Sequence, residues 1–218
     1  MIRVTELIVD SDERVGEGGF LAIRRLRLRN RRGDGSTSAP YLSDAIVRPF
    51  GQDAVVVAIF ARTSRGVEVL VRDGLRPTIA LHRDPSIAPL PEPAPGLACT
   101  ELVAGILEVA DRGLAARAAA EVHEEAGFVV AAAHVIVLGA GALASPGCLA
   151  EKNYFTAVEV DPAAQQPPAG DGSPMEEGAT TRWLPLDAAI AACVRGELAD
   201  LKTELGLRRL RDHLTGGA

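Results

Sequence analysis

The first half of the chain is written in short extended runs. TELIVD (5–10) and FLAIRRLRLRN (20–30) read as strands; in the second, Leu21, Ile23, Leu26 and Leu28 partly alternate with Arg24, Arg25, Arg27 and Arg29. NRRGDGSTSAP is a turn-rich connection, and YLSDAIVRPF resumes an extended pattern. Residues 1–50 hold too few apolar side chains to fold alone. They are predicted to be an N-terminal β extension packed on a partner chain or on the main domain, residues 51–218. That domain opens with AVVVAIF (54–60), a continuous apolar run rich in β-branched residues, the pattern of a buried strand. TSRG turns the chain back into VEVLVR (67–72). Residues 84–95 hold five prolines and read as an exposed loop. The Ala-rich stretch RGLAARAAAEVHEEAGF is the clearest helix, with Gly127 as its stop. HVIVLGAG and NYFTAVEV are further strands, and residues 161–178 form a long polar loop. LDAAIAACVRGE and DLKTELGLRRLRDHL are closing helices, the last with Leu201, Leu205, Leu207, Leu210 and Leu214 mostly on one face. Mixed strands with a central and a terminal helix predict an α/β (α+β) sandwich.

Composition narrows the function classes. With 47% hydrophobic and 24% charged residues the chain is ordinary globular protein, which excludes disorder throughout. A formal net charge of −6 argues against nucleic acid as a partner bound by broad phosphate neutralisation. No apolar run approaches the roughly 20 residues of a membrane span, and no apolar block follows a basic start, so neither membrane nor signal peptide is expected. Cys99, Cys148 and Cys193 are scattered and form no CxxC pair, which fits a reducing cytoplasm.

The chemistry concentrates on the central helix. Glu121, Glu124 and Glu125 stand at i, i+3 and i+4, so they project from one helical face. Like charges at that spacing repel, and their neighbours are Ala and Val. Two readings follow: a solvated acidic face, or a cradle for a hard divalent cation such as Mg2+. His123 projects away from both neighbouring glutamates and reads as exposed or packed rather than as a ligand.

The string GILEVADRGLAARAAAEVHEEAGF resembles the Nudix box, a glycine, a spaced glutamate and then R-E-U-x-E-E-x-G-U with U apolar. Gly105, Glu121, Val122, Glu124, Glu125, Gly127 and Phe128 match it. The first half departs: Ala120 stands in place of the arginine, and one extra residue puts Asp111 or Arg112 at the first glutamate. Arg117, one turn before Glu121, is placed to substitute for the missing arginine. Further stretches resemble ADP-ribose and nucleotide-sugar pyrophosphatases of this superfamily. ELVAGILE leads into the box, VEVLVRDGLRP carries Arg76, and ASPGCLAEKNYF carries Ser145, Pro146, Gly147 and Glu151. MEEGATTRWLPL and GELADLKTELGL complete the series.

The resemblance implies a Nudix fold, a mixed sheet between helices. It implies a Mg2+-dependent (or Mn2+-dependent) hydrolase that splits the pyrophosphate of ADP-ribose or a related nucleoside diphosphate sugar into a nucleoside monophosphate and a sugar phosphate. Glu121, Glu124, Glu125 and the carbonyl of Ala104 would hold metal. A base would come from the acidic loop, Glu176 or Glu177, with Glu177 favoured by its distance to the Trp183 strand. Arg76, Ser145, Pro146, Gly147 and Glu151 would meet substrate. Relatives pair as homodimers through N-terminal strands. Two alternatives use the same fold: a nucleotide-sensing module with little hydrolysis, and a nucleoside triphosphate housecleaning pyrophosphatase.

Overall fold

A computed structural model describes residues 4–16, 19–48, 51–88, 90, 96–108, 110–111, 113–170 and 172–217 of the chain. Arg112 and much of the expected Pro-rich loop lie outside the described residues. The chain runs β1 (Val4–Val15), β2 (Ala22–Arg32), β3 (Tyr41–Val47), β4 (Ala54–Thr63), β5 (Gly66–Leu75) and α1 (Pro77–His82). It continues through β6 (Ala98–Glu101), β7 (Val103–Ile106), α2 (Leu114–Ala126), β8 (Ile136–Val137), β9 (Ala142–Ser145) and β10 (Leu149–Glu159). It ends with β11 (Thr180–Pro185), α3 (Leu186–Val194) and α4 (Leu201–Leu214). Among the described residues no helix is long and apolar enough to cross a membrane.

The chain divides into two compact units. The first comprises Met1–Asp53 together with Leu143–Lys152. Its core is the antiparallel meander β1-β2-β3, joined at Ile46 by a parallel bridge to Leu149. The arginines of β2 find their acids on the flanking strands: Arg24 and Arg29 meet Asp12 and Asp10 of β1, and Arg25 meets Asp44 of β3. These cross-strand pairs set register, and their exposure keeps them weak. The predicted extension thus carries its own sheet, and it recruits a segment nearly a hundred positions further along.

The second unit comprises Ala54–Ala142 and Asn153–Ala218. Its strands lie in the order β10-β4-β5-β11, with β4 parallel to β10 and antiparallel to β5. Alternation splits the sheet into two apolar faces. Val55, Val57, Ile59 and Leu70 pack with Ala118, Val122 and Ala126 of α2 and with Phe128. Val56, Ala58, Phe60, Val69 and Phe155 pack with Leu186 and Ile190 of α3 and with Leu207 and Leu210 of α4. A strand covered on both sides must be apolar at every position, which is why residues 54–60 show no alternation.

Two strands appear that the sequence pattern did not predict, and one expectation is revised. The segment before α2 holds two four-residue strands, β6 on β5 and β7 on β4, each too short to show a period. Leu201 is exposed in the first turn of α4, whose buried face starts at Thr203. The start of that helix is set by Asp200, whose carboxylate accepts from the Thr203 N–H at 3.0 Å and from its hydroxyl at 2.6 Å.

Candidate active site

Helix α2 carries the acidic trio at its C-terminal end. Glu121 is 4% exposed, although it shares the helix with solvent-facing His123. Its Oε1 is buried without an aligned hydrogen bond, and the Arg117 guanidinium lies against it as an ion pair. The same guanidinium reaches Glu124 Oε2 at 3.5 Å. Burial is the main force on the Glu121 carboxyl. Arg117 opposes it, Glu125 and Glu124 reinforce it, and the pKa is pushed up to about 7. Opposite stands Gly105: a Cβ there would sit 1.4 Å from Glu121 Oε1, so only glycine leaves room for the carboxylate.

Glu125 turns toward the sheet. Its Oε2 accepts from the Ala104 N–H of β7 at 3.3 Å, and its Oε1 lies 3.2 Å from Arg72 Nη1. Burial raises its pKa, with Arg72 and the Ala104 N–H opposing and Glu101 and Glu176 adding to the rise. Arg72, on β5 and 4% exposed, also places Nη2 3.3 Å from Glu176 Oε1. A cavity of about 270 Å³ opens here, lined by Arg72, Glu124, Glu125, Gly170, Glu176 and Thr181 among others.

The loop bearing Glu176 is docked rather than free-standing. Two short 3-10 turns, Pro162–Ala164 and Pro174–Glu176, punctuate it. Its backbone caps the end of α2: Gln166 N–H donates to Gly127 O at 2.8 Å and Gly170 N–H to Glu124 O at 2.9 Å. The Gln165 side-chain amide donates to Ala126 O at 3.0 Å. These donors satisfy carbonyls that a helix end leaves open. Gly127 permits the docking twice over, through a φ of +73° and through its missing Cβ, which would lie 1.8 Å from Gln166 O. Within this loop Glu176 lines the cavity, while Glu177 is exposed.

Arg76 follows β5 and is committed to a buried neighbour. Its guanidinium pairs with Glu101, which also takes the Lys202 ammonium at 2.5 Å. Lys202 reaches Asp200 at 3.1 Å. Burial works against the ammonium, but Glu101 and Asp200 outweigh it and hold its pKa above the ordinary lysine value. Ser145, Pro146, Gly147 and Glu151 belong to the first unit. There Glu151 pairs with Arg48, and Ser145 Oγ lies 3.3 Å from Cys148 Sγ.

The structure therefore brings Glu121, Glu124, Glu125, Ala104 and Glu176 to one region of the second unit. Sequence reasoning missed Arg72. The signal was present: two positions after Leu70, the strand's alternation aims Arg72 at the same buried face as α2.

The donor set suits a hard divalent cation. It is all oxygen, most of it is shielded from water, and the neighbouring Glu125 and Glu124 add to the rise in the Glu121 pKa. Among the described residues no three Asp, Glu, His or Cys side chains converge into a ready cage. Arg117 holds Glu121 and Glu124, while Arg72 holds Glu125, so two arginines meet the charge that a cation would neutralise.

A stability prediction follows from Glu121. Its folded pKa lies above the ordinary value of 4.5, so the folded state binds the proton more tightly than the unfolded state. Stability of metal-free protein should then fall as pH rises from about 4.5 through about 7, by on the order of 2–3 kcal/mol. Glu121→Gln should reduce that slope, leaving the smaller part that Glu125 contributes, and be the more stable form at pH 8. Urea unfolding at pH 5 and pH 8 measures it; a wild-type profile flat over that range would contradict the assignment.

No protein-family sequence model matches the chain, and no curated protein matches it in sequence. Among solved structures it is similar to one described as an ADP compounds hydrolase, with a TM-score of 0.68 at 13% identity, over 98% of this chain and 96% of that one. It also aligns with a C. elegans Ap4A hydrolase in a binary complex, with a TM-score of 0.45 at 14% identity, over 75% of this chain and 98% of that one. A third alignment is with the NUDIX domain of Shewanella oneidensis NrtR complexed with ADP ribose, with a TM-score of 0.47 at 14% identity, over 75% and 88%. The first of these likenesses establishes the architecture: the chain has the Nudix fold, a mixed sheet between helices. At 13% identity it speaks to the fold alone.

Proposed function

We propose that the chain is a Nudix hydrolase that splits the pyrophosphate bond of ADP-ribose or a related nucleoside diphosphate sugar. The observation that carries this reading is one cavity in which Glu124 and Glu125 of α2 meet a loop carboxylate, Glu176, with buried Glu121 one turn earlier on the same helix. Mg2+ or Mn2+ held by Glu121, Glu124, Glu125 and the Ala104 carbonyl would neutralise diphosphate charge and lower the pKa of bound water. Glu176, on the docked loop, would accept the proton of the attacking water. Glu177, its exposed neighbour, is the second candidate for that role. Arg76 keeps a third of its side chain exposed beside Glu101 and offers its remaining donors to a substrate phosphate or sugar. The part of Ser145, Pro146, Gly147 and Glu151 in substrate binding rests on the sequence resemblance alone.

One observation favours a second reading, a nucleotide-binding module with weak hydrolysis. Arg72 and Arg117 already neutralise the acidic trio, which lowers the gain from a metal. A panel of ADP-ribose, UDP-glucose, GDP-mannose and deoxynucleoside triphosphates with Mg2+ or Mn2+ separates the readings. Release of a nucleoside monophosphate and a sugar phosphate supports the hydrolase. Release of pyrophosphate from triphosphates supports the housecleaning alternative, and binding without products supports the module. In the hydrolase, Glu176→Gln should slow turnover by roughly 100-fold, and Glu177→Gln by much less; the reverse order would move the base to Glu177.

The reading extends to assembly and location. Val9, Phe20 and Leu42 of the first unit are 56%, 59% and 61% exposed, and apolar side chains left open in this way suit pairing with a second copy of the chain. Sedimentation at micromolar concentration tests the homodimer; a monomer would refute it. Cys99, Cys148 and Cys193 are free thiols, which supports a reducing, cytoplasmic setting, checked by cell fractionation.

A further inference from the structure

We propose that Arg72 is a positioning residue that ties the loop carboxylate Glu176 to the helix carboxylate Glu125, and so sets where the proposed base stands. The inference rests on the hydrolase reading above and deepens it.

The geometry is that of a fork. One guanidinium nitrogen meets Glu125 Oε1 at 3.2 Å and the other meets Glu176 Oε1 at 3.3 Å. A planar guanidinium can bridge two carboxylates on different elements with separate donors, whereas an ammonium presents one compact charge. The residue has little freedom to do anything else. It is 4% exposed on β5, with Glu101 directly across the β5–β6 ladder as a further facing carboxylate. A cation this deep persists only because acids surround it.

The neighbouring sequence makes room for the fork. A Cβ at Gly74 would come within 2.9 Å of Arg72 Nη1, so the glycine leaves the space the guanidinium fills. Backbone bonds anchor the loop on α2 at Gln166 and Gly170; between Ser173 and Ala179, among the described residues, Glu176 N–H donates to Ser173 O at 3.0 Å, Glu177 N–H to Pro174 O at 3.3 Å and Ala179 N–H to Glu176 O at 3.0 Å, all within the turn. The Arg72 contact joins this outer part of the loop to the sheet.

Hydrogen exchange on the metal-free full chain reads the tie directly. Arg72→Lys keeps charge and loses the fork, and Glu176→Ala removes the other end. Each should speed exchange between Ser173 and Ala179 roughly tenfold while α2 amides keep their rates. The double variant should exchange no faster than either single one, because both cut the same link. In turnover of ADP-ribose with Mg2+, Arg72→Lys should lower kcat roughly 10- to 100-fold and leave KM within about threefold. Gly74→Ala, which keeps the arginine and both carboxylates, should move kcat in the same direction.

Unchanged exchange in both single variants, or effects that add in the double, would overturn the tie. Faster exchange with an unaltered kcat would overturn the positioning role and leave a structural contact. If Arg72→Lys does not fold, Glu176→Ala and Gly74→Ala carry the exchange readout, and Gly74→Ala the kinetic one. A wild-type chain that hydrolyses none of the panel would refute the function proposed above; the exchange data would still decide the tie.

Discussion

Glu125→Gln should cut turnover by roughly a thousandfold or more while leaving the fold in place. The substitution keeps side-chain volume and keeps an oxygen able to accept from the Ala104 N–H, so the core around α2 has no cavity to collapse into. What it removes is the negative charge, at a position where burial makes charge count most. Arg72 loses one of its counter-charges at the same time, which adds a modest stability cost. Steady-state kinetics in saturating Mg2+ and a circular dichroism melt together measure the result. A variant with the native rate would show that this carboxylate is no ligand, and the assignment would then shift to Glu121 and Glu124.

The second large effect is structural. Gly127→Ala should destabilise the protein by about 2–4 kcal/mol, which for a chain of this size is roughly 5–15 °C in Tm. Two penalties coincide: a left-handed backbone at φ +73° and a Cβ driven to 1.8 Å from a backbone oxygen of the opposing loop. A clash with backbone cannot be relieved by a rotamer, so the loop itself must move. Activity should fall with stability, because the displaced segment also carries Glu176. Thermal denaturation monitored beside turnover checks both; a Tm within a degree of wild type would mean that the loop does not seat on the helix as described.

Part of this was legible from the chain alone, and the physics says which part. The run of residues 54–60 announces a strand buried on both faces because water would tolerate it on neither. The stop at Gly127 is legible because few residues but glycine end a helix that way. The i, i+3, i+4 spacing puts the three glutamates on one face of any helix. The pairing that surrounds them is another matter. Arg72 resembles the exposed arginines of β2 until its neighbours in space are known, and its three facing acids come from α2, β6 and a loop about a hundred positions away. Lys202 and Glu101, likewise about a hundred positions apart, meet for the same reason. The strands β6 and β7 escaped because four residues do not make a pattern. The recruitment of Leu143–Lys152 into the first unit escaped because nothing local in that segment marks its distant partners.

The parallel pairing of β4 with β10 carries a consequence for synthesis. Thr156 bonds to the carbonyl of Val56, 100 residues earlier, and every rung of that ladder spans a comparable stretch. Long-range pairings of this kind close late and slowly. As the polypeptide leaves the ribosome, its most water-averse strand emerges long before the neighbour it needs. Newborn chains of this protein should therefore depend on chaperone cover until β10 has left the ribosome.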